Sequence, residues 1–118
     1  MGSIERGKAQ LEGMQVTEAI LSVAKTADVT LEVYEQVIYC NNTVASFTIT
    51  LPSISEAAGK LYSIKLITDS GVNTVTVEDQ SDSYDFAEGG AFILTAATDF
   101  VLLYSDGFKW YTLSIQET

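Results

Sequence analysis

Apolar and polar residues alternate along most of the chain after residue 28. Val29 to Val33 and Phe47 to Leu51 repeat with a period of two, which is typical of a half-buried strand. The same period returns in Tyr62 to Leu66, in Val75 to Val77 and in Phe92 to Leu94. Turn residues separate these segments at roughly ten-residue intervals, so the pattern predicts about eight short strands.

This spacing predicts an all-β fold, either an antiparallel β-sandwich or a jelly-roll-like barrel. A βαβ arrangement is disfavoured, because no segment between the strands has a helical pattern long enough to form a crossover. Pro52 ends one strand, and Ser55 to Gly59 is compatible with a single helical turn. Residues 1–27 contain early glycines and few apolar anchors, so we expect an extended N-terminal arm before a β domain of residues 28–118.

The last predicted hairpin turns at Asp106-Gly107, and a two-residue type I′ turn would place Leu103 opposite Trp110. Both faces of this hairpin are apolar. One face is assigned to the core and carries Phe100, Leu102, Tyr104, Tyr111 and Leu113. The other face is a candidate subunit interface, since apolar patches often mark interfaces, and carries Val101, Leu103, Trp110 and Thr112. The alternative is that both faces are buried inside one domain, under a second sheet or the arm.

The predicted core consists of the apolar positions that share a strand face. These are Phe47, Ile49, Leu51, Ile64, Leu66, Val75, Val77, Phe92, Leu94, Phe100, Leu102, Tyr111 and Leu113.

Composition argues against catalysis. The chain of 118 residues has no histidine, which removes the commonest general base and metal ligand. Its one cysteine, Cys40, excludes an internal disulfide framework and a cysteine-based zinc site, and an apolar neighbourhood suggests a buried, inert thiol. None of the three lysines of residues 28–118 lies in a Ser-x-x-Lys motif, and no phosphate-binding glycine loop is present. We therefore expect no enzyme, no cofactor and no metal site.

Two further features have a functional and a structural interpretation. Residues 78–90 are rich in acids, but the EF-hand pattern would need Gly in place of Tyr84 and Glu in place of Gly90. A solvated acidic loop is favoured over a looser Ca²⁺ site. Several aromatics are interpreted as core and interface residues, with a sugar-stacking surface as the alternative: Tyr62, Tyr84, Tyr104, Trp110 and Tyr111.

The net charge is −10, and the excess of acids lies entirely in residues 28–118, because the charges of residues 1–27 cancel. An acidic body repels phosphates, so nucleic acid is not an expected partner. No apolar run approaches the length of a membrane span, so a membrane is not expected either.

Three segments together carry a family resemblance: TITLPSISEAAGKLYSIKLI (48–67), NTVTVE (73–78) and FVLLYSDGFKWYTLS (100–114). They resemble a β-rich module of virion structural proteins of tailed bacteriophages, which occurs in tail fibres, head fibres and capsid decoration (cement) proteins. The resemblance covers about residues 44–115 and is a pattern of strands and turns. The chain departs from it at 84–89, where the family often has an Ile-Asp-Gly element.

The resemblance implies a homotrimer. The short chain, the neutral arm and the acidic body then favour a capsid decoration protein on the outer surface of the virion, with the major capsid protein as its partner. The residues expected to contact the capsid or a neighbouring subunit lie in the arm: Ile4, Arg6, Lys8, Leu11 and Met14. The alternative is a receptor-binding or glycan-binding tip of a head fibre or tail fibre, which would bind host-surface glycans.

Overall fold

The computed structural model describes residues 23–83, 86 and 91–118, and in this part of the chain it contains eight strands. Strands β1, β3, β5 and β6 form one sheet in that order, and β2, β4, β7 and β8 form a second. The prediction of an all-β chain with about eight strands is confirmed. The strands are β1 (Val29–Thr30), β2 (Val37–Asn41), β3 (Phe47–Thr50), β4 (Leu61–Thr68), β5 (Val75–Glu78), β6 (Phe92–Leu94), β7 (Phe100–Ser105) and β8 (Trp110–Gln116).

The prediction that neighbouring strands are antiparallel is wrong for three of the six pairings in the described part of the chain. β1 with β3, β3 with β5, and β2 with β4 are parallel, whereas the pairings that involve β6, β7 and β8 are antiparallel. The chain crosses from one sheet to the other after each of the first four strands. A parallel pair needs a long crossover connection, and here a strand of the opposite sheet supplies it in place of a helix.

The inward side chains of both sheets belong to one buried cluster. Directly opposed residues such as Ile49 and Val77 in the first sheet, or Ile64 and Val101 in the second, point to the same side of their sheet. The predicted core residues that are found buried are Phe47, Ile49, Leu51, Ile64, Leu66, Val75, Val77, Phe92 and Leu94.

The two faces of the last hairpin are assigned the wrong way round by the sequence analysis. Val101, Leu103 and Trp110 are fully buried within the chain, so they are not a subunit interface, and Thr112 on the same face is half-buried. The reason is the pairing of β7 with β4, which sets Leu103 opposite Tyr62 on the core side. Trp110 packs edge-on against the Tyr62 ring, with the ring centroids 5.5 Å apart.

The residues that the hairpin was expected to bury lie on the outside of the second sheet. Phe100, Leu102 and Tyr104 are half-buried, while Tyr111 and Leu113 are exposed. Their assignment to the core is therefore wrong. Nothing within the hairpin itself distinguishes its two apolar faces, because only the neighbouring strand decides which face meets the opposite sheet.

The β7–β8 turn also differs from the two-residue turn that was predicted. Ser105 pairs with Trp110, so residues 106–109 form a four-residue connection, and next to the turn the register moves by two residues without exchanging the faces. A register shift between Leu102 and Leu103 then leaves Leu113 unpaired and sets Leu102 opposite Ser114. The Asp106 carboxylate accepts hydrogen bonds from the backbone N–H groups of Phe108 and Lys109, at 2.8 and 2.7 Å. Gly107 has a φ of 96°, which favours glycine.

Two buried polar residues fix loops at the other end of the sheets. The Asn42 side chain donates to the Asp69 carboxylate and to the Asn73 carbonyl, and it accepts from the Ser70 N–H. The Asp99 carboxylate accepts from the backbone N–H groups of Thr95, Ala96 and Thr118 and from the Thr118 hydroxyl. Burial raises the pKa of Asp99, but these hydrogen bonds outweigh burial and hold the pKa below its ordinary value.

Candidate interaction surface

The outward face of the first sheet is polar. Its central positions form ladders of opposed threonines, Thr30 with Thr50 and Thr48 with Thr76, and the acid Glu78 pairs with Thr50. Ile93 is the exposed apolar residue of this face. Such a face is the polar side expected of a sheet that buries only its other side.

The outward face of the second sheet is different, because it is mostly apolar. Cross-strand neighbours form rows in which Leu61, Tyr104 and Tyr111 lie side by side, and Leu102 pairs with Ser63. We call this surface the apolar face. Its apolar members are Val37, Tyr39, Leu61, Ile67, Phe100, Leu102, Tyr104, Tyr111 and Leu113.

The apolar face extends across all four strands of the second sheet. Four strands about 4.8 Å apart, each with about seven residues rising about 3.3 Å, make a surface on the order of 400 Å². Val37 and Leu113, on the two edge strands of this sheet, are both more than half exposed. A patch of this size on a small protein commonly marks a binding surface.

Charge distinguishes the apolar face from the rest of the molecule. The four strands that build it contain no acid, and their one charged residue is Lys65. Lys65 lies on β4 between Tyr39 and Phe100, which are its cross-strand neighbours. The Lys109 ammonium also lies 5.2 Å from the ring centroid of Tyr111. A surface that approaches this face therefore meets mostly apolar side chains and two ammonium groups, whereas the chain as a whole has a net charge of −10.

A shallow cleft lies beside the apolar face at the β2 edge, lined by Tyr34, Gln36, Val37 and Tyr39. Tyr34 is 72% exposed, so its ring is available for contact. Next to the cleft, the Lys25 ammonium donates to the Glu35 carboxylate at 2.8 Å. Burial raises the pKa of Glu35, but the Glu32 N–H and Lys25 lower it more, so that the pKa lies below its ordinary value.

An aromatic side chain stands at the tip of the β7–β8 turn. Phe108 is 78% exposed, although the turn that carries it is well ordered by hydrogen bonds. The Ser105 hydroxyl at the base of the turn donates to the Ile54 carbonyl and accepts from the Gly107 N–H. The hydrogen bonds from Phe108 and Lys109 lower the pKa of Asp106, so the tip carries a carboxylate beside its aromatic ring.

Few of the site residues expected from sequence lie on this surface. The arm residues Ile4, Arg6, Lys8, Leu11 and Met14 lie outside the described residues, as do Tyr84 and most of 84–90. Of the tyrosines considered for sugar stacking, Tyr62 is buried, whereas Tyr104 and Tyr111 belong to the apolar face.

Sequence reasoning missed Tyr34, Tyr39 and Phe108. Phe108 had a recognisable signal, because it is a large apolar residue at a position where a turn normally carries a polar one. Tyr34 had the same signal, because it lies in a turn before β2. Tyr39 had none, because its exposure depends on which strand pairs with β2.

The interior offers no obvious chemistry in the part of the chain that is described. Burial raises the pKa of Cys40 to about 12, and nearby Lys25 opposes this only partly, so the thiol is protonated at neutral pH. Residues 23–83, 86 and 91–118 contain no group of three or more metal-ligating side chains. Within the same residues there is no helix long and apolar enough to cross a membrane.

Comparisons of the chain with protein-family models, with curated proteins and with solved structures found no match. What the protein does is therefore inferred from its own surfaces and from the resemblance of residues 44–115.

Proposed function

We propose that the protein is a non-enzymatic structural protein of a bacteriophage virion, a trimeric capsid decoration (cement) protein that stabilises the head by binding at capsomer junctions. The resemblance of residues 44–115 supports the virion role. The observation that carries the adhesive role is the contrast between the threonine-lined face of the first sheet and the apolar face of the second. The proposed architecture is a β-sandwich with an N-terminal arm of residues 1–27.

The apolar face supplies a driving force of the right size for assembly. The face of about 400 Å² also includes Ser63, Lys65 and Gln116, so burying it stabilises a complex by less than about 10 kcal/mol at about 25 cal/mol per Å² of apolar surface. Association costs about 4–15 kcal/mol in lost freedom of motion, and copies with a net charge of −10 also repel one another. A single face therefore gives weak binding, and firm attachment requires several contacts at once.

A trimer on a capsid provides these contacts. Once one subunit is bound, its neighbours are held at high effective concentration over the shell, so that many weak contacts act together. The threonines and Glu78 of the first sheet remain in water on the outer surface of the virion. The arm residues Ile4, Arg6, Lys8, Leu11 and Met14 are proposed to contact the major capsid protein or a neighbouring subunit.

Sedimentation with purified phage shells lacking this protein tests the proposal. The intact chain should be a trimer in solution and should co-sediment with the shells, and the variant Leu113→Ser should bind several-fold more weakly because it makes the apolar face more polar. Thr76→Ser on the opposite face is the matched control and should bind normally. A wild-type chain that stays monomeric and does not bind shells would refute the proposal.

Exposed tyrosines favour a second candidate function, glycan binding by a fibre tip. Tyr34 and Tyr39 line the cleft at the β2 edge, and tyrosine rings stack well on sugar faces. Binding of the isolated protein to a glycan array, abolished by Tyr34→Ala, would favour this function over capsid decoration.

A further inference from the structure

Two exposed features of this chain are both aromatic, and one of them projects while the other is concave. One is the projecting ring of Phe108, and the other is the cleft lined by Tyr34, Gln36, Val37 and Tyr39. Buried aromatic anchors that fill a pocket commonly dominate the binding energy of an interface. Because the two features occupy different places on the same chain, one copy can offer its Phe108 to the cleft of another.

The turn that carries Phe108 is prepared for such a contact. Asp106 and Ser105 fix its backbone through side-chain hydrogen bonds, and the Gly59 N–H donates to the Ser105 carbonyl at 2.7 Å. A Cβ added to Gly107 would approach the Ala58 Cβ to 3.2 Å, so the turn lies close against residues 53–59. Docking therefore requires little further ordering of the turn, which favours affinity.

The tip and the cleft also lie at the same end of the second sheet. Gln36, just before β2, donates its side-chain amide to the carbonyl of Leu61, the first residue of β4. Leu61 in turn pairs with Tyr104, which precedes the turn by two residues. The cleft is on the β2 side of this end and the turn is on the β7–β8 side. When the two contacting elements lie at the same end of the sheet, each copy is displaced little along the strand direction relative to the copy before it. Such an arrangement favours a closed ring over an open filament.

Charge supports the same pairing of surfaces. Asp106 places a carboxylate beside Phe108. It accepts two hydrogen bonds from the turn and interacts with the Tyr111 side chain, and the two oxygens of a carboxylate have room for a further partner. Lys65, the one charged residue in the strands of the apolar face, lies directly opposite Tyr39. In a contact that seats Phe108 beside Tyr39, the Asp106 carboxylate and the Lys65 ammonium of the receiving copy carry opposite charges and attract one another.

We infer that copies of this protein join head to tail, with Phe108 of one copy seated in the Tyr34–Val37–Tyr39 cleft of the next. This inference rests on the proposed self-association and specifies the surfaces that form it. Each copy uses two different surfaces, so the contact is heterologous and the ring closes at the proposed three copies.

Native mass spectrometry on two variants tests the inference. Phe108→Ser removes the anchor and leaves the cleft, whereas Val37→Glu spoils the cleft and leaves the anchor. Each variant alone should be monomeric, with association weakened roughly thirtyfold or more, as expected when a central anchor is lost. Mixed together, with one variant labelled with ¹⁵N, they should form a one-to-one heterodimer, because one intact tip then meets one intact cleft.

Controls separate folding from association. Val72→Ser changes a residue that is 83% exposed in the β4–β5 loop and should leave the assembly unchanged. The fluorescence of buried Trp110 should be the same in all variants, which shows that each is folded.

The failures of the inference and of the proposed function are distinguishable. A trimeric wild type whose two variants remain trimeric would overturn the inference and leave the proposed trimer standing. Monomeric variants that form no heterodimer on mixing, at concentrations far above those at which the wild type associates, would also overturn it, because an intact tip would then fail to bind an intact cleft. A wild type that is monomeric at all concentrations would overturn the proposed self-association itself.

Discussion

Leu103 and Leu113 are the same residue type on opposite faces of the last hairpin, and they offer a matched test of which face is the core. Leu103 on β7 is fully buried, whereas Leu113 on β8 is 56% exposed. Replacing either residue by alanine removes the same atoms. The loss in free energy of unfolding that each variant shows relative to the wild type therefore reports how much of that leucine side chain the fold removes from water.

The expected costs differ by a wide margin. Leu103→Ala loses the full transfer free energy of the deleted atoms and leaves a cavity among well-packed neighbours, which costs about 3 kcal/mol. Leu113→Ala deletes atoms that are buried by less than half, which costs about 1 kcal/mol at most. At roughly 4 °C per kcal/mol, the melting temperature should fall by about 12 °C for Leu103→Ala and by about 4 °C or less for Leu113→Ala.

Urea denaturation followed by the fluorescence of Trp110 measures both costs. The experiment should be performed over a range of protein concentrations, because self-association stabilises the folded state by mass action. In dilute samples the loss at Leu113 should be small. If the apolar face becomes buried between copies, the loss in free energy of unfolding caused by Leu113→Ala should increase with protein concentration. The loss caused by Leu103→Ala should increase less.

Equal costs for the two variants in dilute, monomeric samples would refute the assignment of faces. The hairpin would then bury both leucines within one chain, and the apolar face would not be available to a partner. A larger cost for Leu113→Ala than for Leu103→Ala would restore the face order that the sequence alone suggested.

Three further outcomes are expected. Asp99→Asn should lower the melting temperature by several degrees at pH 7. Because the folded state lowers the pKa of Asp99, the stability that the ionised carboxylate contributes is present above the unfolded pKa of about 3.9 and should shrink as the pH falls below it. A difference in melting temperature between variant and wild type that does not change with pH would contradict this. Gly107→Ala should destabilise more than Gly71→Ala in thermal melts, since both have positive φ but only Gly107 has a close neighbour in Ala58; equal losses would show that the turn does not pack there. Cys40 should resist a thiol reagent at pH 8 in the native protein and react fully in denaturant, because its pKa is about 12 and it is buried; rapid native labelling would disprove this.

The strands themselves were accessible from sequence. Periods of two in Phe47 to Leu51 and Tyr62 to Leu66 identify which residues of a strand share a side, and both segments bury the expected side chains. Local alternation is a property of each strand alone, so it survives whatever partner the strand acquires.

Pairing was not accessible in the same way. The parallel pairing of β1 with β3 joins residues that are far apart in sequence, and no short turn connects the two strands. The sequence therefore contains no local signal that predicts this pairing. The same limit explains the last hairpin, since the order of its faces is set by the pairing of β7 with β4. The same limit affected the candidate surface. The alternation along the hairpin correctly separated the side chains of its two faces, but the prediction placed Trp110 on the outer face and Leu113 on the core face, which is the reverse of the structure.

The alternation of the chain between two sheets also has a consequence for how the protein folds. β1 can form its pairing only after β2 has been laid down in the opposite sheet and β3 has returned, so neither sheet can be completed by neighbouring segments alone. Distant segments lose chain entropy when they come together, and this loss occurs before their stabilising contacts form. Such topologies therefore fold slowly. By contrast, β7 and β8 are joined by a short turn and can meet early. We expect this hairpin to be an early nucleus, because its pairing is the most local one in the two sheets. The apolar strands of the first half of the chain would then remain unpaired, and prone to aggregation, until the later strands have formed.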